Sequence, residues 1–141
     1  MPLPFLFAAL LFLAAAPALA QLPVVQLNAG MYLIRAELAA DPGSRSRGLM
    51  HREALAPHAG MLFVFDQPAI HCMWMKNTLI PLSVAFLDES GVIANIADMT
   101  PHSEQAHCAA RPARYALEMN RGWFAAKGIR PGMRLGGIPG R

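Results

Sequence analysis

The sequence lacks the short motifs that mark nucleotide binding and serine catalysis. It contains no GxGxxG dinucleotide fingerprint, no GxxxxGK(S/T) phosphate loop and no GxSxG nucleophile elbow. Its apolar runs do not alternate with long helical patterns, which excludes a doubly wound dinucleotide-binding fold. No cofactor is therefore predicted. The scarcity of paired catalytic groups favours a non-catalytic protein and leaves enzyme activity open.

Charged residues are also few, at 15% of the 141 residues, whereas 55% are hydrophobic. A chain of this composition can bury a core, so intrinsic disorder is excluded. Residues 21–141 have the common size of one domain, and no internal repeat is visible. The prediction is a leader over residues 1–20 followed by a single domain over residues 21–141.

The leader carries no charged side chain, and residues 3–16 form an apolar run. That run is shorter than the roughly 20 residues that a membrane-spanning helix needs. It is followed by Ala18 and Ala20, whose small side chains suit signal-peptidase cleavage before Gln21. We therefore expect a periplasmic or secreted protein. The alternative is an uncleaved leader, through which alone the protein would be attached to a membrane.

The net charge of +3 is concentrated at the carboxyl-terminal end. From residue 111 onward only Glu118 opposes seven cations, which are Arg111, Arg114, Arg121, Lys127, Arg130, Arg134 and Arg141. These cations alternate with Ala, Gly and Pro rather than with the stacking aromatic residues of nucleic-acid surfaces. Nucleic acid is therefore not predicted as a partner, and a solvated basic surface explains the pattern.

Short apolar runs separated by turn signals predict the fold class. An Asn-Ala-Gly turn separates the first two runs, and Asp88 to Gly91 forms a second hairpin turn. Predicted strands cover residues 24–27, 31–38, 60–65, 69–75, 82–87, 92–97, 115–119 and 133–138. Short helical turns are expected within residues 45–55 and 123–127, and residues 99–113 form the longest loop. This pattern predicts a mainly β fold, an antiparallel sandwich or partly open barrel with one or two short helices.

The sequence contains two cysteines, Cys72 and Cys108. In an oxidising compartment such a pair is a candidate disulfide, which would close a long loop and stabilise the domain. The alternative is that Cys72, within an apolar stretch, is a buried free thiol that packs as a small hydrophobe.

Several longer segments occur in an order that resembles the domain of unknown function 192 family. They cover residues 47–52, 60–65 and 74–82, and the similarity continues through 86–88, 91–93, 115–118 and 122–123. The resemblance implies a small, mainly β domain that is often exported behind a signal sequence in bacteria, and it implies no established activity. The chain departs from the common family pattern at Ser44, Met73 and Ser83, where Glu, Phe and Asp often stand.

The segment before Pro81 is the preferred candidate for a ligand site. On a strand, Trp74, Lys76 and Thr78 would share one face, with Asn77 between them. Cations from the preceding helical turns could help Lys76 to hold an anion while Trp74 stacks on a ring. The ligand-binding candidates are Arg47, Arg52, Trp74, Lys76, Asn77 and Thr78. The predicted function is an exported binding module for a small anionic or glycan-like ligand, or for an envelope protein. The alternative is structural, with Lys76 paired to Glu118 and Asn77-Thr78 bonded to the backbone.

Two further functions are kept as alternatives. A periplasmic soft-metal (copper) protein would use Met99, His102, His107 and the cysteines. No CxxC or HxxxH frame fixes these residues, so no metal ligand is assigned. A cysteine-dependent enzyme would need a reduced Cys72 or Cys108 beside His102 or His107, and no catalytic residue is assigned either.

Overall fold

A computed structural model describes residues 1 and 21–140. The predicted signal peptide, apart from Met1, lies outside the described residues. The strands within the described part are β1 (Val24–Ala29), β2 (Tyr32–Ala39), β3 (Ala59–Ala69), β4 (Cys72–Met73), β5 (Leu82–Leu87), β6 (Ile93–Met99), β7 (His107–Cys108) and β8 (Ala113–Asn120). The helices are α1 (Pro42–Arg47) and α2 (Trp123–Ala126). Neither helix has the length or the apolar character needed to cross a bilayer.

Six strands form one mixed sheet in the order β1-β2-β3-β8-β5-β6. All neighbours are antiparallel except β2 and β3, which are parallel because residues 40–58 cross over between them and carry α1. Strands β4 and β7 form a separate two-stranded sheet. The prediction of a mainly β fold with one or two short helices is confirmed. The sheet is mixed at that one pair and does not close into a barrel.

Both faces of the central strands are buried, which explains their unbroken apolar runs. On one face Trp123 and Phe124 of α2 pack over the sheet together with Leu135 and Ile138 near the carboxyl terminus. On the other face the covering side chains come from segments outside the sheet, namely Leu49, Met75, Ile80 and Ala109. The second face is the one on which α1 and the small β4–β7 sheet lie.

The first helix begins and ends earlier than the predicted helical segment, residues 45–55. Asp41 caps it, because its carboxylate accepts a hydrogen bond from the Ser44 backbone N–H at 2.9 Å. Pro42 occupies the first turn, where a missing N–H is tolerated. Gly48 then adopts a positive φ of 49°, which ends the helix after Arg47.

Two of the predicted strands are wrong in extent. Within residues 69–75 only β4 is a separate strand, since β3 continues to Ala69 and the chain turns at Lys76 and Asn77. Asn77 has a φ of 53°, a left-handed conformation that a regular strand does not contain. Residues 133–138 make only isolated bridges, from Arg134 to Val92 and from Gly136 to Asn28.

Candidate functional site

A disulfide joins Cys72 in β4 to Cys108 in β7, which confirms the predicted bridge. The two residues are direct partners in the small sheet. The side-chain amide of Asn95 ties this sheet to β6, because it donates to the Cys108 carbonyl at 3.1 Å and accepts from the Ala110 N–H at 2.9 Å. The bridge therefore fixes this small sheet, residues 72–73 and 107–108, as a short strap across one face of the main sheet. Neither cysteine is a free thiol, contrary to the buried-thiol alternative.

A cavity of about 330 Å³ lies between α1 and this strap. Phe63 and Phe65 of β3 and Leu49 after α1 supply apolar walls, and Trp74 stands at the end of the strap. The full lining is Pro42, Arg45, Ser46, Arg47, Gly48, Leu49, Met50, Phe63, Phe65, Cys72, Met73, Trp74 and Glu118. The volume is at the small end of the range of about 300–1,000 Å³ for small-molecule pockets.

Glu118 is the lining residue with the most unusual environment. It lies on the central strand β8, directly between Met61 of β3 and Val84 of β5, and only 3% of it is exposed. Its carboxyl has no hydrogen bond or ion pair with any residue in the described part of the chain. Burial without a partner raises the pKa of Glu118 to about 8. A perturbed, unpaired carboxyl facing a cavity is a physical mark of a functional site.

The two arginines of α1 that line the cavity have different environments. Arg45 is held by protein groups, since its guanidinium donates to the carbonyls of Ala40 at 2.8 Å and Val64 at 3.0 Å. It also pairs with Asp66 at 3.3 Å. Arg47 is exposed, and its guanidinium makes no hydrogen bond or ion pair with residues 21–140. Arg47 is therefore the cation of the cavity that a ligand can bind without breaking a protein contact.

Trp74 and Lys76 are close together although they are not on a strand. Trp74 is 46% exposed, and the Lys76 Nζ lies 5.3 Å from the centroid of its ring. Trp74 lines the cavity, whereas Lys76 does not. The predicted alternative pairing of Lys76 with Glu118 is wrong, because Lys76 sits over the indole while Glu118 is buried on the sheet.

Asn77 and Thr78 form the turn rather than a ligand-binding face. Thr78 is buried, and its hydroxyl donates to the Lys76 carbonyl at 3.1 Å. The Asn77 carbonyl accepts a hydrogen bond from the His51 N–H at 2.9 Å. The expectation that Trp74, Lys76 and Thr78 share one strand face is therefore wrong. The turn replaces the two-residue alternation that the expectation assumed.

Arg52 faces away from Trp74. Its guanidinium makes a two-point ion pair with the Glu37 carboxylate of β2, with the Nη2–Oε1 distance at 2.9 Å. This pair lines a second, wider groove of about 860 Å³ on the other side of α1, which Arg47 also borders. We place the candidate site in the smaller cavity, because the buried unpaired carboxyl of Glu118 faces it. The structure thus brings Arg47 and Trp74 together and leaves Arg52 elsewhere.

The residues proposed for a soft metal are dispersed. Met99 is fully buried in the core. His102 lies at a turn with φ of 63°, and His107 pairs with Met73 in the small sheet. Among residues 1 and 21–140 no three His, Cys, Asp or Glu side chains gather as metal ligands would.

Sequence reasoning did not select Glu118 as a site residue. It treated this carboxyl only as a partner for Lys76. The available signal was its position, since Glu118 is the lone charge in an apolar stretch from Tyr115 to Met119 that is buried on both faces. A carboxyl at the centre of such a strand needs a partner or a function.

Comparison with known proteins gives two similar bacterial crystal structures and one family. A candidate transcription regulator from Sinorhizobium meliloti 1021 is 37% identical, with a TM-score of 0.79 over 85% of this chain and 98% of that one. A protein of unknown function from Novosphingobium aromaticivorans DSM 12444 is 35% identical, with a TM-score of 0.79 over 86% and 93%. No curated protein matches the chain. The family model DUF192, described as "Uncharacterized ACR, COG1430", matches residues 24–137, so the chain belongs to the DUF192 family.

Proposed function

We propose that the protein is an exported, non-catalytic binding module of the cell envelope. Its ligand is a small anionic or glycan-like molecule that enters the cavity between α1 and the disulfide-linked strap. The observation that carries the proposal is the unpaired, buried carboxyl of Glu118 in a cavity that also has an unpaired cation, Arg47.

Small-molecule sites combine apolar and aromatic walls with polar groups that fix the orientation of the ligand. This cavity has both, with polar and apolar surface in about equal measure. Here Leu49, Phe63 and Phe65 provide the walls, and the half-exposed indole of Trp74 provides a flat face. A sugar or aromatic ring can pack on that face, so the apolar body of the ligand is accounted for.

Two polar groups of the cavity are available to the ligand. Arg47 is exposed, and its planar guanidinium is suited to a carboxylate, sulfate or phosphate. Glu118 is buried, has no partner among the described residues and lines the cavity. A ligand that displaces water from the cavity therefore has to supply the hydrogen bond to this carboxyl.

Two observations support export. Residues 1–20 have the pattern of a signal peptide. The disulfide between Cys72 and Cys108 is of a kind that persists in oxidising compartments. Mass spectrometry of protein from the exported fraction, without reductant, tests this part. We expect a chain that starts at Gln21 and is lighter by two hydrogen atoms than its reduced form, whereas an intact leader contradicts cleavage.

Binding is tested by isothermal titration calorimetry with 4-methylbenzoate, a small aromatic carboxylate, as the probe. We expect binding to wild type and a loss of about tenfold or more in Arg47→Ala, which removes one charge-assisted contact. Trp74→Ala should also weaken binding, because the packing face is lost.

Arg130→Ala is the matched control, since Arg130 is exposed and lies outside the cavity. It removes the same charge and should leave affinity unchanged. Equal weakening by Arg47→Ala and Arg130→Ala would show attraction to net charge only. No binding of the probe to wild type, or full binding by Arg47→Ala, overturns the proposed site.

A further inference from the structure

The charged groups that face the cavity are few and of opposite sign. From α1 they are Arg45 and Arg47, and from β8 there is Glu118. The cavity-lining residues of β3 and of the strap are uncharged. Since Arg45 is held by Asp66 and two carbonyls, Arg47 and Glu118 are the two charged groups available to a ligand.

Resting on the proposed function, we infer that the ligand is zwitterionic. Its anionic group contacts Arg47, its ammonium group contacts the Glu118 carboxylate, and an apolar body between them packs against Phe63, Phe65 and Trp74. This inference goes beyond anion binding because it assigns Glu118 a specific role, recognition of a cation at the buried end of the ligand.

The cross-strand neighbours of Glu118 leave its carboxyl available to a ligand. Its neighbours across the sheet are Met61 and Val84, neither of which donates a hydrogen bond. A protonated carboxyl can donate one hydrogen bond, whereas a carboxylate only accepts them, so a ligand that ionises Glu118 has to supply N–H groups. A hydrogen bond between an ammonium and a carboxylate is roughly twice as strong as a neutral one, and its strength increases where water is excluded.

Binding of an ammonium group also has a proton signature. Because the pKa of Glu118 is raised to about 8 by burial, its carboxyl is mostly protonated at pH 7 in the empty cavity. Pairing with an ammonium group stabilises the carboxylate, so the Glu118 proton is released to solvent on binding. A neutral or purely anionic ligand leaves that proton in place.

The test uses three probes that share one aromatic ring and differ in their charged groups. These are 4-(aminomethyl)benzoate, which carries both charges, 4-methylbenzoate, which lacks the amine, and benzylamine, which lacks the carboxylate. Titration calorimetry at pH 7 in bis-Tris chloride and in Tris chloride, which contain no phosphate to compete for Arg47, gives the affinity, and the difference in enthalpy between the two buffers gives the protons released. We expect the zwitterion to bind at least about tenfold more tightly than either truncated probe and to release about one proton.

Glu118→Gln keeps the size of the side chain and removes its charge. In this variant the zwitterion should bind no better than 4-methylbenzoate and should release no proton. Glu53→Gln, at an exposed position outside the cavity, is the matched control and should behave as wild type. Circular dichroism before each titration establishes that both variants are folded.

The outcomes separate the inference from the proposed function. If the zwitterion and 4-methylbenzoate bind equally, the cavity binds anions and the inference is wrong. It is also wrong if benzylamine alone binds as tightly as the zwitterion, or if Glu118→Gln still releases a proton. If none of the three probes binds, the proposed function fails together with the inference.

Discussion

Replacing Glu118 with Gln should change how the stability of the protein depends on pH. The pKa of Glu118 in the folded protein is about 8, above its ordinary value of 4.5. Between these values the folded chain keeps a proton that the unfolded chain releases, so the free energy of unfolding falls as pH rises. The stabilising contribution is fully present below about pH 4.5 and is lost by about pH 8. Gln does not titrate, so the variant lacks this loss.

The size of the effect follows from the pKa difference. Each pKa unit corresponds to about 1.4 kcal/mol, which gives an upper bound of about 5 kcal/mol between pH 4.5 and pH 8.5. Other titrating groups are common to both proteins and cancel in the comparison. We therefore expect Glu118→Gln to gain stability relative to wild type as pH rises, by up to that amount.

Urea unfolding followed by circular dichroism at several pH values, with the disulfide kept oxidised, measures this difference. Glu53→Gln is the control, because Glu53 is exposed and should follow the wild-type profile. If wild type and Glu118→Gln give parallel profiles from pH 4.5 to pH 8.5, Glu118 is not held protonated by burial. The assignment of an unpaired buried carboxyl would then be refuted.

Three further predictions concern the disulfide, the Arg52–Glu37 ion pair and the packing of β3 against β8. Replacing both Cys72 and Cys108 with Ser should lower the free energy of unfolding, measured in urea, by about 4 kcal/mol. The bridge joins residues 36 positions apart, and a cross-link that closes so long a loop restricts the unfolded chain strongly. An unchanged unfolding midpoint would contradict this. Arg52→Ala should cost about 1 kcal/mol or less, since the pair with Glu37 is partly exposed, and should leave probe affinity unchanged in calorimetry. Gly60→Ala should lower the melting temperature by an amount equivalent to about 1–3 kcal/mol, because its added Cβ would lie 2.4 Å from the Glu118 carbonyl oxygen. An unchanged melting temperature would show that β8 can move to accommodate the added methyl group.

The strands were predictable where burial alone shapes the pattern. Residues 60–65 read as a strand buried on both faces, and they lie within β3 between β2 and β8. The parallel pairing of β2 with β3 was not predictable in this way. It depends on the path of residues 40–58 across the sheet, and apolar periodicity does not record the direction of a neighbouring strand.

The candidate site was predicted in part. Arg47 and Trp74 line the cavity, but the alternation that linked Trp74 to Thr78 fails at the turn of Asn77. Glu118 was missed for a different reason. An apolar strand with one carboxyl has the same sequence whether that carboxyl is paired or not, and pairing is decided by side chains distant in the chain. In the structure Lys76 lies over Trp74 instead of pairing with Glu118.

The cost of Glu118 and the stabilisation by the disulfide bear on the same cavity. A carboxyl between Met61 and Val84 destabilises the fold at neutral pH, and an apolar side chain of similar size would not. The bridge between Cys72 and Cys108 stabilises the domain and fixes the strap, which lines the same cavity as this carboxyl. Residues that break a local rule of burial are expected where a site needs them, with stability supplied elsewhere. On that argument we propose that Glu118 marks the functional end of the cavity and that the disulfide supplies part of the stability that this buried carboxyl costs.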